Sequence, residues 1–151
     1  LRAITYGLYA ITAHHDGERG VFTANWLSQA SFDPPIIMVS VENESSTLSL
    51  IEASGRFVIC PFKADQRDLA ASLGRPKSKA GDKFDTLNLS VVKTESGDIA
   101  LADTLGYIVC QVRNMVPAGD SVVFIADVIE IASFSDDAPL EMRAAGFRHA
   151  G

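Results

Sequence analysis

Short runs of apolar and β-branched residues, rather than long stretches of helical period, dominate this chain. About seven of these runs predict strands, and helical period is confined to residues 46–54 and 64–74. Each pair of neighbouring parallel strands needs its own crossover connection, so two short helices are too few for a doubly wound sheet. The sequence therefore predicts a mainly β fold, an antiparallel, Greek-key-like barrel with two short inserted helices.

The expected strands are bounded by turn and breaker residues. Residues 5–13 lead into a hairpin turn at Asp16-Gly17, and residues 21–31 continue as strand until Pro34-Pro35 breaks the ladder. Pro61 predicts that its strand either lies at an edge of the sheet or bends at this residue. The other strands are expected over residues 36–41, 56–62, 88–93, 100–113 and 121–134. The last of them is apolar on both faces, as a strand with a covered exterior would be.

Both expected helices carry signals at their ends. The first ends at Gly55, which suits the left-handed position after a helix C-terminus. The second begins with Asp65 as its N-cap and presents Leu69 and Leu73 on one face. Irregular structure is expected in the loop over residues 75–88 and in the tail from Ser135.

Charge and composition exclude several classes of protein. The chain has 151 residues, which suits a single domain over residues 1–151, and its net charge is −6. A nucleic-acid-binding protein would carry a basic stripe, whereas Arg75, Lys77 and Lys79 form only a short basic cluster within residues 75–79. We interpret that cluster as a solvated loop, with contact to an anionic ligand as the alternative. No apolar run approaches the ~20 residues of a membrane span and no signal peptide is recognisable, so the cytoplasm is expected.

Cysteine and histidine do not form the pattern of a metal or disulfide site. Cys60 and Cys110 lie in apolar runs without a CxxC motif, which favours buried thiols in a reducing compartment. His14 and His15 flank the Asp-Gly turn without a third ligand nearby in sequence, so no metal is expected. The absence of Gly-x-Gly excludes a Rossmann fingerprint, and any pyridine nucleotide must bind by another route.

A cluster of hydroxyl side chains opens the first expected helix. Ser45, Ser46 and Thr47 lie where a helix presents unpaired N–H groups and the positive end of its dipole. Hydroxyl donors at such a position can bind a phosphate group. The alternative is plain N-capping, which needs only one hydroxyl.

A segment of small and polar residues separates two of the expected strands. The small side chains of Thr23 and Ala24 would let a flat ring approach the backbone, and Asn25 can pair with a ring that both donates and accepts. Trp26 could stack on such a ring or lie at a subunit interface. A β-bulge with a core tryptophan is the equally weighted alternative.

Several motifs follow one another in a characteristic order. They are residues 5–35, the VSVENESST run at 39–47, EASGRF at 52–57, Asp-Lys-Phe at 82–84 and the Gly119-Asp120 turn. The ordered set covers most of the chain and resembles the flavin reductase-like family of FMN-binding split barrels. It is most similar to the branch found in flavoredoxins and in flavin domains attached to rubredoxin or flavodiiron modules.

This resemblance implies a homodimer with FMN, rather than FAD, at the subunit interface. The family's ring-contacting segment corresponds to Thr23, Ala24, Asn25 and Trp26, followed by Gln29, Ala30 and Ser31. Its phosphate-contacting hydroxyls correspond to Ser45 and Thr47, and a further serine to Ser40. The phosphate charge would be balanced by the helix dipole or by Lys77, Lys79 or Lys83.

The chain departs from the family pattern at four positions. Glu42 stands where many relatives have Asn, and Cys60 also replaces a frequent Asn. Ser46 replaces a basic residue that often lies between the phosphate-binding hydroxyls. Ser121 replaces a histidine associated with nicotinamide and flavin contact, which weakens the expectation of an NAD(P)H site more than that of an FMN site.

Three functions remain open at this point. The first is an FMN-dependent oxidoreductase that passes electrons from NAD(P)H to a flavin or protein acceptor, with a redox protein or monooxygenase as partner. No catalytic acid or base in the protein is required, because the cofactor carries the chemistry. The second is a flavin-binding electron carrier without its own nicotinamide site. The third is a non-catalytic barrel that binds another ligand, such as haem or a different phosphate.

Overall fold

The computed structural model describes residues 1–77 and 81–149, in which strands form most of the regular structure. The strands are β1 (Tyr9–His15), β2 (Glu18–Ala24), β3 (Leu27–Ser31), β4 (Ile36–Glu42), β5 (Arg56–Pro61), β6 (Val91–Lys93), β7 (Ile99–Leu101), β8 (Gly106–Ala118) and β9 (Ser121–Ser133). The helices are α1 (Leu48–Ser54), α2 (Arg67–Leu73), α3 (Lys83–Thr86) and α4 (Met142–Ala145).

Seven strands form one antiparallel sheet in the order β2-β1-β5-β8-β9-β4-β3, and β6 pairs with β7 in a separate ribbon. The two outermost strands of the large sheet, β2 and β3, follow each other in sequence. They do not pair, because the chain leaves the ladder at Asn25 and Trp26. These two residues therefore lie at the opening between the edges of the sheet.

Strand β5 is buried on both faces. Phe57 and Ile59 of β5 pack with Ile11, Val39 and Phe124, and α1 contributes Ile51 to this inner core. The Phe57 and Phe124 rings lie 6.4 Å apart between centroids.

The intervening residues of β5 supply a second, outer core. Val58 and Cys60 point away from the inner core and pack with Leu73 of α2 and Phe84 of α3. Because side chains alternate along a strand, an unbroken apolar run such as 57–60 feeds two cores at once. Each fully buried large side chain contributes roughly 1.5–3 kcal/mol.

The mainly β, antiparallel fold is confirmed, with two more strands than expected because two runs are interrupted. The strand expected over residues 21–31 is divided into β2 and β3, and that over residues 100–113 into β7 and β8. The hairpin turn at Asp16-Gly17 and the break at Pro34-Pro35 are confirmed. The first strand begins at Tyr9 rather than at residue 5.

The first helix ends as predicted. Gly55 adopts φ +68° and its N–H donates to the Ile51 carbonyl at 2.8 Å. The N-cap of α2 is Gln66, so the assignment to Asp65 is wrong. The Gln66 side chain accepts from the Lys63 N–H at 2.8 Å and donates to the Asp103 carbonyl, which ties this turn to the connection after β7.

Other expectations fail where they depend on long-range pairing. An edge position for Pro61 is wrong, because β5 lies between β1 and β8 and Pro61 is its last residue. Residues 1–77 and 81–149 do not cover the exterior of β9, since Ile129 and Ile131 are 45% and 66% exposed. The loop and tail also contain helices that were not predicted, α3 and α4.

Within the described residues, no helix has the length and apolar character needed to cross a lipid bilayer.

Candidate functional site

The segment that interrupts the sheet lies against α2 and the C-terminal region. The Thr23 hydroxyl donates to the Ala70 carbonyl of α2 at 2.6 Å, and Ala24 is buried. The amide nitrogen of Asn25 lies 3.1 Å from both the Met142 sulfur and the His149 carbonyl oxygen. Thr23 and Asn25 are therefore fixed by partners that lie 47 and more than 110 residues away in sequence.

Trp26 contacts a residue that the sequence analysis did not identify. The His149 ring lies 5.3 Å from the Trp26 ring, centroid to centroid, with 39° between their planes. The other side of the imidazole contacts β4, since His149 Nε2 lies 2.8 Å from Glu42 Oε1. No local sequence signal predicts this contact, because Trp26 and His149 lie near opposite ends of the chain.

The residues after Trp26 line the exposed edge of the sheet. Gln29 Nε2 donates to the Ser31 carbonyl at 3.1 Å, and the β3–β4 register shifts between Gln29 and Ser31, so Ala30 has no partner in the ladder. Ser40, on the neighbouring strand, donates its N–H to the Trp26 carbonyl at 2.9 Å. The bulge predicted as an alternative thus exists, but it lies after Trp26 rather than at it.

The hydroxyl cluster at the start of α1 packs against β2. Thr47 is the N-cap residue but its side chain makes no capping bond, and the Ser45 hydroxyl accepts from the Thr47 N–H at 3.3 Å. Gly20 permits this packing, because a Cβ at residue 20 would lie 2.5 Å from the Thr47 hydroxyl oxygen. The simple capping role is therefore not what holds Thr47 in place.

A small cleft joins this cluster to several charged side chains. It is lined by Arg19, Gly20, Val21, Ser46, Lys77, Gly81, Asp82, Lys83 and Phe84. Arg19 lies over the Phe84 ring at 4.6 Å and pairs with two carboxylates, 3.3 Å to Asp82 and 2.9 Å to Asp85. No local pattern points to Arg19 as a site residue, because a short hairpin gives no sign that its strand end meets α1.

Lys83 occupies this region but its ammonium is already engaged. Its Nζ donates to the Leu73 carbonyl at 2.6 Å and to the Val21 carbonyl at 3.1 Å. Burial lowers the pKa of Lys83 because the charged form loses hydration. Lys77 is exposed beside the same cleft, whereas Lys79 lies outside the described residues.

The position of Ser121 is defined by the β4–β9 ladder. Ser121 pairs in register with Glu42, the residue that contacts His149. The Ser121 side chain is buried and its hydroxyl donates to Asp120 at 3.1 Å. Glu42 and Ser121 are two of the four positions at which the sequence departs from the family pattern. The structure thus places them side by side, with the His149 imidazole in contact with Glu42.

The remaining candidates are separate from this region. His14 lies 3.6 Å from Asp98 and His15 lies 3.3 Å from Asp16. No group of three or more metal-binding side chains occurs among residues 1–77 and 81–149. Cys60 and Cys110 are buried as predicted, and burial raises the pKa of each thiol to about 12. Both thiols are therefore protonated at neutral pH and are poor nucleophiles.

Comparison with known proteins agrees with this architecture. A crystal structure titled nitrilotriacetate monooxygenase component B, from Mycobacterium thermoresistibile, has a TM-score of 0.81 and 25% identity, and the match covers 91% of this chain and 75% of that one. This likeness confirms the expected split barrel.

Two curated proteins match most of the chain but are longer than it. High molecular weight rubredoxin from Moorella thermoacetica is 32% identical over 142 residues, 93% of this chain and 61% of the relative. Diflavin flavoprotein A 1 from Synechocystis sp. is 30% identical over 129 residues, 83% of this chain and 22% of the relative. The profile of the flavin reductase like domain matches residues 1–151. The chain therefore belongs to the flavin reductase like domain family.

Proposed function

We propose that this chain binds FMN and acts as an oxidoreductase that passes electrons from NAD(P)H to a flavin or protein acceptor. The observation that carries the proposal is that strand β2 adjoins both an opening in the sheet, at Asn25 and Trp26, and a hydroxyl and cation cleft at the start of α1. A flavin mononucleotide needs both features, a flat site for its ring and donors for its single phosphate. When bound, the flavin supplies the hydride and electron transfer chemistry.

The ring is assigned to the opening between β2 and β3. Thr23 and Ala24 have small side chains, which a planar ligand lying against this segment would require, and Trp26 offers an aromatic face. The adjoining edge of the sheet supplies the remaining contacts, from Gln29, Ala30, Ser31 and Ser40. None of these groups needs to exchange a proton, since their part is to bind and orient the ring.

The phosphate is assigned to the hydroxyls of Ser45 and Thr47. Arg19 and Lys77 line the adjoining cleft and would balance its charge in place of the basic residue that Ser46 replaces. Lys83 would support the phosphate site without contacting the phosphate, because its hydrogen bonds to the Val21 and Leu73 carbonyls hold β2 against the end of α2. A phosphate monoester would then compete with Asp82 and Asp85 for the Arg19 guanidinium.

A flavin-binding electron carrier without a nicotinamide site is the second candidate. The observation that favours it is the Ser121 hydroxyl, which stands in place of the family's histidine, is buried and donates to the neighbouring Asp120. The two candidates differ in their response to NADH and NADPH, but both require the flavin.

We propose that the chain carries out this function as a homodimer. The register places Met38 beside Ile125, and Val123 beside Val116, on one outer face of the sheet. Met38 and Val116 are 44% and 46% exposed, so this face offers apolar surface to a second copy. Sedimentation of the flavin-loaded protein at micromolar concentration should give a dimer, and a monomer would contradict this assignment.

We propose that the electron acceptor is a redox protein or a monooxygenase in the cytoplasm. The chain spans 61% of the rubredoxin relative and 22% of the diflavin relative, whose names both denote redox proteins. We assign residues 1–151 to one flavin reductase-like domain that could work with such a module, on the same chain or on another.

The visible spectrum of the purified protein tests the proposal. The protein should be yellow, or should take up one FMN per chain, with FMN preferred to FAD. Addition of NADH or NADPH without air should bleach the flavin if the chain has its own nicotinamide site. A bound flavin that is not bleached would support the electron carrier instead, and a colourless protein without measurable affinity for FMN would overturn both.

A further inference from the structure

The C-terminal strap, defined as residues 142–149, crosses the opening at Asn25 and Trp26. Its first half is firmly attached, because Met142 and Ala145 are buried and the Met142 N–H donates to the Tyr6 carbonyl at 2.9 Å. Arg67 of α2 adds a second attachment, since its Nε donates to the Ala145 carbonyl at 2.7 Å. This half is therefore part of the folded domain.

The second half of the strap is held differently. It follows Gly146, which adopts φ +75°, and it ends at His149, whose side chain is 56% exposed. His149 is held by Glu42 on β4, by the uncharged Trp26 ring and by the Asn25 amide. The contact between His149 and Glu42 is weak, because both side chains are more than half exposed and water competes for it.

The His149 contacts use the groups assigned to the flavin ring. An asparagine amide has two N–H donors, and those of Asn25 are directed at the Met142 sulfur and the His149 carbonyl. One face of Trp26 is covered by the imidazole. A ring that stacks on that face and accepts from Asn25 cannot bind while His149 remains in place.

We infer that His149 closes the ring site of the ligand-free protein, and that flavin binding displaces His149 while residues 142–147 stay attached, since Phe147 packs against the outer core and lies 5.2 Å from the Arg67 guanidinium. This inference rests on the proposed function. The closed form lowers the apparent affinity for flavin, since only the open fraction of molecules can bind. The contact is thus an autoinhibitory one, in which the imidazole competes with the isoalloxazine ring.

The contact itself can be tested without any ligand. Trp26 is the chain's single tryptophan, so its fluorescence reports on this site alone. The imidazole lies against the indole ring, so its removal should open Trp26 to a quencher dissolved in the solvent. Acrylamide should therefore quench the emission of apo His149→Ala more strongly than that of the apo wild type, whereas His14→Gln with His15→Gln should be quenched as the wild type is. Equal quenching of His149→Ala and the wild type would overturn the inference.

Displacement is tested by flavin binding to the full chain. His149→Ala should bind FMN and riboflavin about threefold to tenfold more tightly than the wild type, by the same factor, because both ligands carry the same ring. Arg148→Ala is the matched control and should bind as the wild type does. Equal or weaker binding by His149→Ala, with a wild type that binds, would overturn the inference alone. If neither protein bound flavin, the proposed function and this inference would both be rejected.

Discussion

The Lys83 ammonium lies 2.6 Å from the Leu73 carbonyl oxygen at the end of α2, and the same nitrogen reaches the Val21 carbonyl of β2 at 3.1 Å. One side chain thus joins a helix end to an edge strand of the sheet. Replacement of Lys83 would leave two buried carbonyl oxygens without their donor. The interaction therefore has a measurable consequence for stability that is independent of any ligand.

Lys83→Met should lower the free energy of unfolding by about 1–3 kcal/mol, the cost of leaving buried acceptors unsatisfied. Urea denaturation of the apo protein measures the change. Lys77→Met is the matched control, because Lys77 is exposed, and it should change the free energy by less than about 0.5 kcal/mol. Equal effects of the two variants would show that the Lys83 bonds do not contribute.

Glu130 should make the stability depend on acid pH. Burial alone would raise its pKa, but hydrogen bonds from Ser96, Tyr107 and the Glu95 N–H lower the pKa of Glu130 to about 2, from an ordinary 4.5. A carboxyl group with a lowered pKa contributes stability that is complete above about pH 4.5 and is lost as the pH falls towards 2. The difference in urea midpoint between wild type and Glu130→Gln should therefore be largest at pH 7 and should shrink by pH 3. Glu52→Gln, at an exposed position of α1, should show no such trend.

Gly106→Ala should be one of the most damaging single substitutions outside the site. A Cβ at residue 106 would lie 2.1 Å from the Ala132 carbonyl oxygen of β9, and the backbone there has φ +153°. The β8–β9 ladder would have to open, which we expect to cost about 3–5 kcal/mol or to prevent folding. A Cβ at residue 119 would meet no atom within 4 Å. Gly119→Ala should therefore lose only the about 1–2 kcal/mol that a non-glycine residue costs in the left-handed conformation. Thermal unfolding of the two variants ranks them, and similar melting temperatures would contradict the steric account.

Ser45→Ala combined with Thr47→Val separates phosphate binding from a purely structural role. If both hydroxyls donate to the phosphate, FMN binding should weaken by about 2–4 kcal/mol, whereas riboflavin, which lacks the phosphate, should lose much less. Fluorescence titration with the two ligands measures the difference. Ser49→Ala, on the exposed side of α1, is the control and should leave both affinities unchanged. Equal losses for FMN and riboflavin would exclude the phosphate role.

Local features of the fold could be predicted because neighbouring residues decide them. The Asp16-Gly17 turn, the break at Pro34-Pro35 and the left-handed Gly55 after α1 each depend on the backbone preferences of one or two residues. The N-cap of α2 is Gln66 rather than Asp65, and no local pattern indicates this because the Gln66 side chain bonds to Asp103, 37 residues away.

The sequence by itself determined a mainly β chain, the position of its first helix and the segments that resemble a flavin site. Tertiary structure alone decided that Pro61 ends a central strand, that Arg19 meets Ser46 in one cleft, and that His149 contacts Trp26. The physical reason is that strand pairing and side-chain contacts join residues far apart in the chain, and their energies depend on the whole fold rather than on local preference.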